Sequence, residues 1–566
     1  MNTETSTAST TVWGIDLGTT YSCISRVDEF GRAVVVNNRD GDPTTPSVVM
    51  FVAADNIQVG KEAKRQTQMD PDAVAELVKR QMGVPNWSFQ AHGQAWTAPE
   101  VSAQILKALA EDAAQQTGSP VEKVIITVPA YFGIPERDAT VAAGKMAGLE
   151  VVDVLNEPTA AALSYGFGQG EDVDETVLVY DLGGGTFDVT VIRLEPLEGG
   201  GSHIRVVATG GNHRLGGADW DQRVVELLSS KFQQENPEAP DPLDDDLAAA
   251  DLRIAAEDVK RALTLRDSVT QVVMAGGVRA SVELTREEFE QATQDLLEAT
   301  IDFTRETLEK ARERGTQEID RVLLVGGSSF MPAVPRRLIE AFPGWSPQLG
   351  DPNQSVAKGA ALYGFQADLR SKIEELEESE QSNGEAVDRG AIEQRVAEES
   401  GLALGALQRM TETKITNVCA RGFGVKVVRP GFTGANGSSD EFYVDHLLHE
   451  NDPLPVDPPR LETYGTVVDN QSSVEIVLFE QAGTELSDQL EHNKEIEKRT
   501  FNLPGSDPKG TPIEISIGMG NDGMLTVSAR HPAVAELTFS AQSEAGVQSQ
   551  EQISESAAKV QAMQRT

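Results

Sequence analysis

The chain has 566 residues, 39% hydrophobic and 24% charged, so it holds enough apolar sequence for several folded domains and is too long for one core. Acidic residues outnumber basic ones 89 to 48, giving a formal net charge of −41, and a surface that acidic repels phosphate backbones and argues against nucleic-acid binding. Two widely spaced cysteines, Cys23 and Cys419, exclude a disulfide framework or a cysteine metal motif and suit a reducing compartment.

In chain order, residues 1–10 read as a disordered polar tail with neither the basic nor the apolar region of a signal peptide. No apolar run reaches transmembrane length, so a cytoplasmic location is expected. From 11 to 365, β-runs such as "TVWGID", "KVIITVPA", "TVLVYDL" and "RVLLVGG" alternate with amphipathic helical runs, the rhythm of an α/β domain. Asp-Leu-Gly occurs at Asp16 and again at Asp181, which hints at an internal duplication. Residues 366–413 turn polar and acidic, with one amphipathic helical stretch, and read as a solvated linker. From 414 to 540 the pattern becomes short strands and turns, including the hairpin signal "GNDG", and predicts a separate all-β unit. Residues 541–566 form a short tail with one possible helix.

The chemistry concentrates in "GIDLGTTYSCIS" and "VYDLGGGTFDVTVI". Each places an aspartate at a strand end and glycines in the following turn. Glycine lets consecutive backbone N–H groups approach an anion closely, so residues 18–20 and 183–186 can cradle phosphate oxygens. Carboxylates do not face phosphate directly, but they can face Mg²⁺ through its retained waters, a role open to Asp16 and Asp181. Either stretch alone also fits a plain tight β-turn. Both together, with "VLLVGGSSFMP" downstream, favour two hairpins clamping one nucleotide. The glycine spacing is neither a Walker-A loop nor a dinucleotide fingerprint.

The ordered series "GIDLGTTYSCIS", "TVPAYF", "NEPTAAALSYGF", "DLGGGTFDVTV", "VLLVGGSSFMP" and "VAKGAALYG" resembles the seventy-kilodalton heat-shock chaperone family, DnaK-type. The resemblance runs through 11–365 and continues more weakly at "DNQSSVEIVLFE" and "NDGMLTVSA". It implies a duplicated actin-like (ribonuclease-H-like) ATPase domain followed by an all-β peptide-binding sandwich. It implies ATP or ADP with Mg²⁺, with K⁺ possible, and slow hydrolysis to ADP and phosphate that controls affinity for apolar segments of unfolded polypeptides. Asp16 and Asp181 match the magnesium carboxylates, and Lys79 matches the lysine at the γ-phosphate and attacking water. Glu157, Thr186 and Asp188 match the remaining catalytic positions. Nucleotide contacts would come from Gly18, Thr19, Thr20, Tyr21, Gly183, Gly184, Gly185, Gly216, Gly217, Gly326, Gly327, Ser328 and Phe330. Glu257, Lys260, Arg261 and Thr264 match the nucleoside-binding helix, and their spacing puts them on one helix face. Phe423, Val425, Val428, Val467 and Val474 align with the peptide pocket, although alternating apolar residues also suit plain sandwich core. Pro129 and Arg137 match the interdomain switch. A J-domain cochaperone, a nucleotide-exchange factor and a monomeric state are the implied partners and assembly.

Four departures qualify this picture. Phe330 replaces an arginine at the adenine site. No short apolar linker ending in aspartate precedes the β-unit; "LALGAL" at 402–407 is a poor substitute. Asp153 replaces the arginine of the J-domain contact, which argues against standard cochaperone stimulation. The tail is too short for the family's helical lid, so weak, rapidly exchanging peptide binding is expected. The other readings consistent with the hairpins are a small-molecule kinase of the actin-like superfamily, an ATP-hydrolysing filament or scaffold protein, and an ATP-binding regulatory module with one dedicated protein partner.

Overall fold

The computed structural model describes residues 11–566 except 68, 170–173, 198–200, 384–386, 430–441, 484–485, 521–522 and 542–549. The alternating β-runs and helices fold into two half-domains with one plan. In the first, Val12–Asp16 makes an antiparallel hairpin with Tyr21–Val27 and has Lys123–Val128 as its parallel neighbour. Glu150–Asn156 and Ala33–Val35 lie outside these. In the second, Glu175–Leu182 makes a hairpin with Phe187–Pro196 and lies parallel to Arg321–Val325, with Pro347–Leu349 and Ser202–Asn212 outside. The strand orders correspond position by position, so the repeated Asp-Leu-Gly marks a structural duplication. Val177, Leu178, Val179 and Tyr180 are fully buried, as expected where helices cover both faces of a sheet.

Helix Ser355–Ser382 packs against Val12–Asp16 and helix Glu157–Gln169. The approach is close enough to require glycine: a Cβ on Gly359 would lie 1.8 Å from the Ala160 carbonyl oxygen, and one on Gly14 would lie 2.2 Å from the Ala361 nitrogen.

The linker expectation for 366–413 is corrected by the structure. Its first part continues helix Ser355–Ser382, and helices Arg389–Glu399 and Leu404–Glu412 fold back on it. Leu369, Ile373, Ile392, Val396, Leu407 and Met410 are buried in the same core as Val12 and Val177. Glu374, Glu375 and Glu378, among the residues that suggested a tether, are exposed on the outer face of the first of these helices. The connecting chain then forms strand Lys414–Thr416, which adds in parallel to Ser202–Asn212 and extends the second half-domain's sheet.

The β-unit has two antiparallel four-stranded sheets, one around Phe423–Val428 and Ser473–Gln481, the other around Pro512–Met519 and Leu525–His531. They share a core that includes Phe423, Leu478, Ile496, Ile515 and Val527. The "GNDG" turn falls partly outside the described residues, while its flanking strands pair antiparallel. Residues 1–10 also lie outside them. The expected tail helix forms at Gln550–Ala562 and rests on the first half-domain. Among the described residues no helix is long and apolar enough to cross a membrane.

The β-unit is seated on the first half-domain at the start of helix Ile134–Met146. Arg421 Nε donates to the Tyr131 carbonyl at 3.3 Å, and its guanidinium lies 3.8 Å from Glu136 Oε1. Glu480 is fully buried beside them; a Cβ on Gly133 would fall 2.0 Å from its Oε1. Burial pushes the Glu480 carboxyl up to about 7; Glu136 pushes the same way, against Arg421, Lys494 and the Ile134 amide.

Two outcomes follow from this packing. Gly359→Val should lower the thermal midpoint of the two half-domains, at a cost of about 1–3 kcal/mol for overpacking. Glu480 titrates near 4.5 in water and near 7 when docked, so between those values the docked form holds a proton that the undocked form has lost. Docking therefore weakens as pH rises from about 4.5 to about 7 and is flat above. Hydrogen exchange at residues 134–146 across that range should show this, and Glu480→Gln should remove the dependence.

Candidate functional site

The duplicated hairpins bring their turns together at the mouth of one cleft of about 380 Å³ between the half-domains. The turns touch: a Cβ on Gly184 would lie 1.9 Å from Thr20 Oγ1, and one on Gly185 would lie 2.3 Å from Thr19 Cγ2. Two of the three consecutive glycines are thus required by hairpin-to-hairpin contact. The third strand end joins them, with Ser328 Oγ donating to the Gly183 carbonyl at 2.9 Å.

At the base of the cleft lie four carboxylates, Asp16, Glu157, Asp181 and Asp188, with one ammonium, Lys79. Lys79 Nζ is 2.5 Å from Glu157 Oε1, and both side chains are buried. Lys79 comes from the short 3₁₀ turn Val78–Gln81, and Glu157 is the first residue of helix Glu157–Gln169. Burial, and next the Glu157 charge, pushes Asp16 up to about 7. Asp181 is raised by burial, then by Glu157 and Asp16. Asp188 is raised by burial, then by Glu157 and Asp181, against Lys79 and the nearby Ala130 amide, and neither of its oxygens has a partner at hydrogen-bond distance and angle among the described residues.

This donor set fits a hydrated divalent cation. Acidic side chains forced together, one with both oxygens unpartnered, form a site that positive charge would stabilise. Among the described residues no three His, Cys, Asp or Glu side chains form a group that could hold a metal ion directly, which is compatible with waters lying between ion and carboxylates.

The structure gathers most of the residues singled out from the sequence into this one cleft. Gly18, Thr19, Thr20, Tyr21, Gly183, Gly184, Thr186, Gly326, Gly327, Ser328 and Phe330 line it, together with Glu257, Lys260, Arg261 and Thr264 from helix Asp246–Leu265. Phe330 stands half-exposed at its side. Gly185, Gly216 and Gly217 stand one layer back: the Gly217 and Ala218 amides donate to the Gly183 and Gly184 carbonyls at 2.9 and 2.7 Å, bracing the second hairpin. Arg137 sits at the seam with the β-unit, donating to the Phe132 carbonyl at 3.0 Å and to Asn156 Oδ1, while the Pro129 carbonyl accepts from the Phe132 amide.

The five positions aligned with a peptide pocket are dispersed. Phe423 and Val425 point into the core of the β-unit, Val428 and Val474 are half-buried, and Val467 is 45% exposed.

Several cleft residues carry no sequence signal. Arg80 Nε donates to the Gly185 carbonyl at 2.8 Å and its guanidinium pairs with Asp219 at 2.6 Å, joining the half-domains. Lys64 pairs with Glu257 across the cleft mouth and donates to Tyr21 Oη at 3.1 Å; Arg261 lies over the Tyr21 ring at 5.0 Å. Asp221 pairs with Lys260 at 2.8 Å. The only available clue was the adjacency of Arg80 to Lys79.

A family model described as Hsp70 protein matches residues 12–377, well over half of the chain, and the chain belongs to the Hsp70 family. Members of this family are in general ATPases of chaperone type that bind ATP or ADP with Mg²⁺ and act on unfolded polypeptides with cochaperones.

Replacing Asp188 by asparagine should raise the melting temperature of the nucleotide-free protein by a few degrees, because it removes a buried acid whose ionisation burial, Glu157 and Asp181 all oppose. The same change should lower ATP hydrolysis by about 10²-fold. Thermal scans and single-turnover assays on one preparation check both.

Proposed function

We propose that this Hsp70-family chain is an ATP-driven chaperone that binds apolar segments of unfolded polypeptides, with hydrolysis in the hairpin cleft controlling its grip. The observation that carries this reading is the convergence of Lys79, Glu157, Asp16, Asp181 and Asp188 beneath two touching glycine hairpins, in a domain whose sheet is extended by the strand leading to the β-unit.

In this reading the backbone amides of 18–20 and 183–186 bind the phosphate chain, and Glu257, Lys260, Arg261 and Phe330 hold the nucleoside end. Lys79 neutralises charge on the γ-phosphate oxygens and positions the attacking water in line. Glu157, Asp181, Asp188 and Thr186 orient that water, so no covalent nucleophile is needed. Asp16 and Asp181 would hold Mg²⁺ through its waters, and the bound ion supplies positive charge to the phosphate oxygens. K⁺ in the same acidic cleft, a cytoplasmic location and a monomeric state belong to this reading. So does a nucleotide-exchange factor acting on the cleft.

Coupling would run through Pro129, Arg137 and strand Lys414–Thr416, which lie at or beside the seam. A second reading is favoured by one observation: Phe423 and Val425, expected to line a peptide pocket, are core residues. The β-unit would then recognise a dedicated partner, and the ATPase half would regulate that contact. Asp153 accords with it, since its Oδ2 accepts from Tyr363 Oη at 2.7 Å within the nucleotide-binding half.

Single-turnover ATP hydrolysis with and without a short Leu-rich peptide separates the two. The chaperone reading expects slow hydrolysis that the peptide accelerates, and Lys79→Ala should reduce it by about 10²–10³-fold. Hydrolysis that ignores the peptide favours the dedicated-partner reading. Hydrolysis untouched by Lys79→Ala overturns the site assignment.

A further inference from the structure

Residues 550–566 occupy a built site on the first half-domain. Val560 is fully buried and Met563 nearly so, in the core that holds Trp96, Leu106 and Ala147. Lys559 Nζ lies 3.8 Å above the Trp96 ring and 3.0 Å from Glu100 Oε2, the carboxylate that also completes the capping box of helix Ala98–Thr117. The end of helix Gln550–Ala562 would leave unpaired carbonyls. Lys107 Nζ donates to those of Val560, Gln561 and Met563 at 3.4–3.5 Å, and Gln104 Nε2 donates to Val560 at 3.3 Å.

Beyond the helix, Gln564–Arg565 pairs in parallel with Asn56–Val59, adding a strand to a sheet edge. Arg565 makes a bidentate pair with Asp112 at 2.9 and 3.0 Å; these side chains are 8% and 2% exposed. Asp112 also accepts from Arg39 Nε at 3.0 Å, so Arg565 completes a two-arginine cluster around one buried carboxylate.

Every one of these partners lies in the first half-domain. None belongs to the nucleotide cleft, to strand Lys414–Thr416 or to the second half-domain. A ligand moves an equilibrium only through differential interaction with its two states. The strand leading to the β-unit extends the second half-domain's sheet, whereas no residue that holds segment 550–566 lines the cleft.

We propose that residues 550–566 are a nucleotide-independent anchor: they stay bound to the first half-domain when the β-unit undocks, and they tether it there. The β-unit's last strand, Val534–Ala541, and the anchor are joined by residues 542–549, a contour of roughly 30 Å at about 3.5 Å per residue. An undocked β-unit is therefore held at millimolar-scale effective concentration, which favours rapid redocking. The anchor goes beyond the chaperone reading and rests on it only for the undocking of the β-unit; the binding of 550–566 to the first half-domain is tested separately.

Hydrogen exchange on the full chain in saturating ATP and in saturating ADP tests the anchor without using hydrolysis. Slow exchange across 553–566 in both states is expected. Fast exchange in ADP alone makes the segment a nucleotide-switched element and overturns the proposal, as does fast exchange in both. The double variant Val560→Asp, Arg565→Glu should release 550–566 while leaving nucleotide affinity within about 2-fold. A fluorescent synthetic peptide of residues 550–566 should then bind the emptied groove of the double variant at least ~10-fold more tightly than it binds wild type. Equal binding to both proteins contradicts a groove filled in cis.

Discussion

The whole arrangement depends on burying four carboxylates around one lysine. Asp16, Glu157, Asp181 and Asp188 come from separate points in the sequence, and only the Lys79–Glu157 pair offsets their charge within the cleft floor. Such a cluster is held by the fold rather than by its own attractions. The duplicated sheets supply that force, setting two aspartates at equivalent strand ends so that the turns after them meet. Helix Ser355–Ser382 then locks the first sheet against helix Glu157–Gln169 through glycine-sized contacts, which also places Glu157. The result is a preorganised site whose electrostatic deficit suits a polyanion only when it arrives with a cation.

The same sheets carry the connection outward. Strand Lys414–Thr416 continues the second half-domain's sheet, so the chain leaves for the β-unit from an edge of the sheet that also carries the second hairpin. The β-unit returns to the first half-domain through Arg421 and Glu480, against the start of helix Ile134–Met146. That helix begins just after Tyr131, whose hydroxyl is buried and, after the effect of burial, raised in pKa by the Asp188 and Glu157 charges. The acidic floor of the cleft and the domain seam are thus separated by one short turn of chain.

Legibility in the sequence varied with how local the signal was. The two Asp-Leu-Gly hairpins and the third glycine strand end are contiguous motifs whose turn chemistry can be read directly, and they lead to the cleft. Residues 366–413 looked like a tether because composition averages over helix faces. Leu369, Ile373, Ile392, Val396, Ala397, Leu407 and Met410 face inward among the described residues, and a few apolar residues among many acidic ones suffice when a core lies beside them. At the β-unit positions the signal is ambiguous for a related reason: alternation along a strand identifies a buried face but not whether it meets a core or a ligand. Arg80 and Lys64 gave no signal, since their partners Asp219 and Glu257 lie 139 and 193 residues away.

By itself the sequence determined the α/β character of the first two thirds, the duplication and the glycine turns that meet at the cleft. Each of these rests on neighbours in the chain, through strand periodicity and glycine's backbone freedom. Tertiary structure alone decided the rest: that Gly184 and Gly185 are small because the other hairpin's threonines press on them, that the acidic linker is packed, and that residues 550–566 return to Trp96 and Asp112. Those outcomes are set by which surfaces meet after folding, and long-range contact of that kind leaves no periodicity in a single sequence.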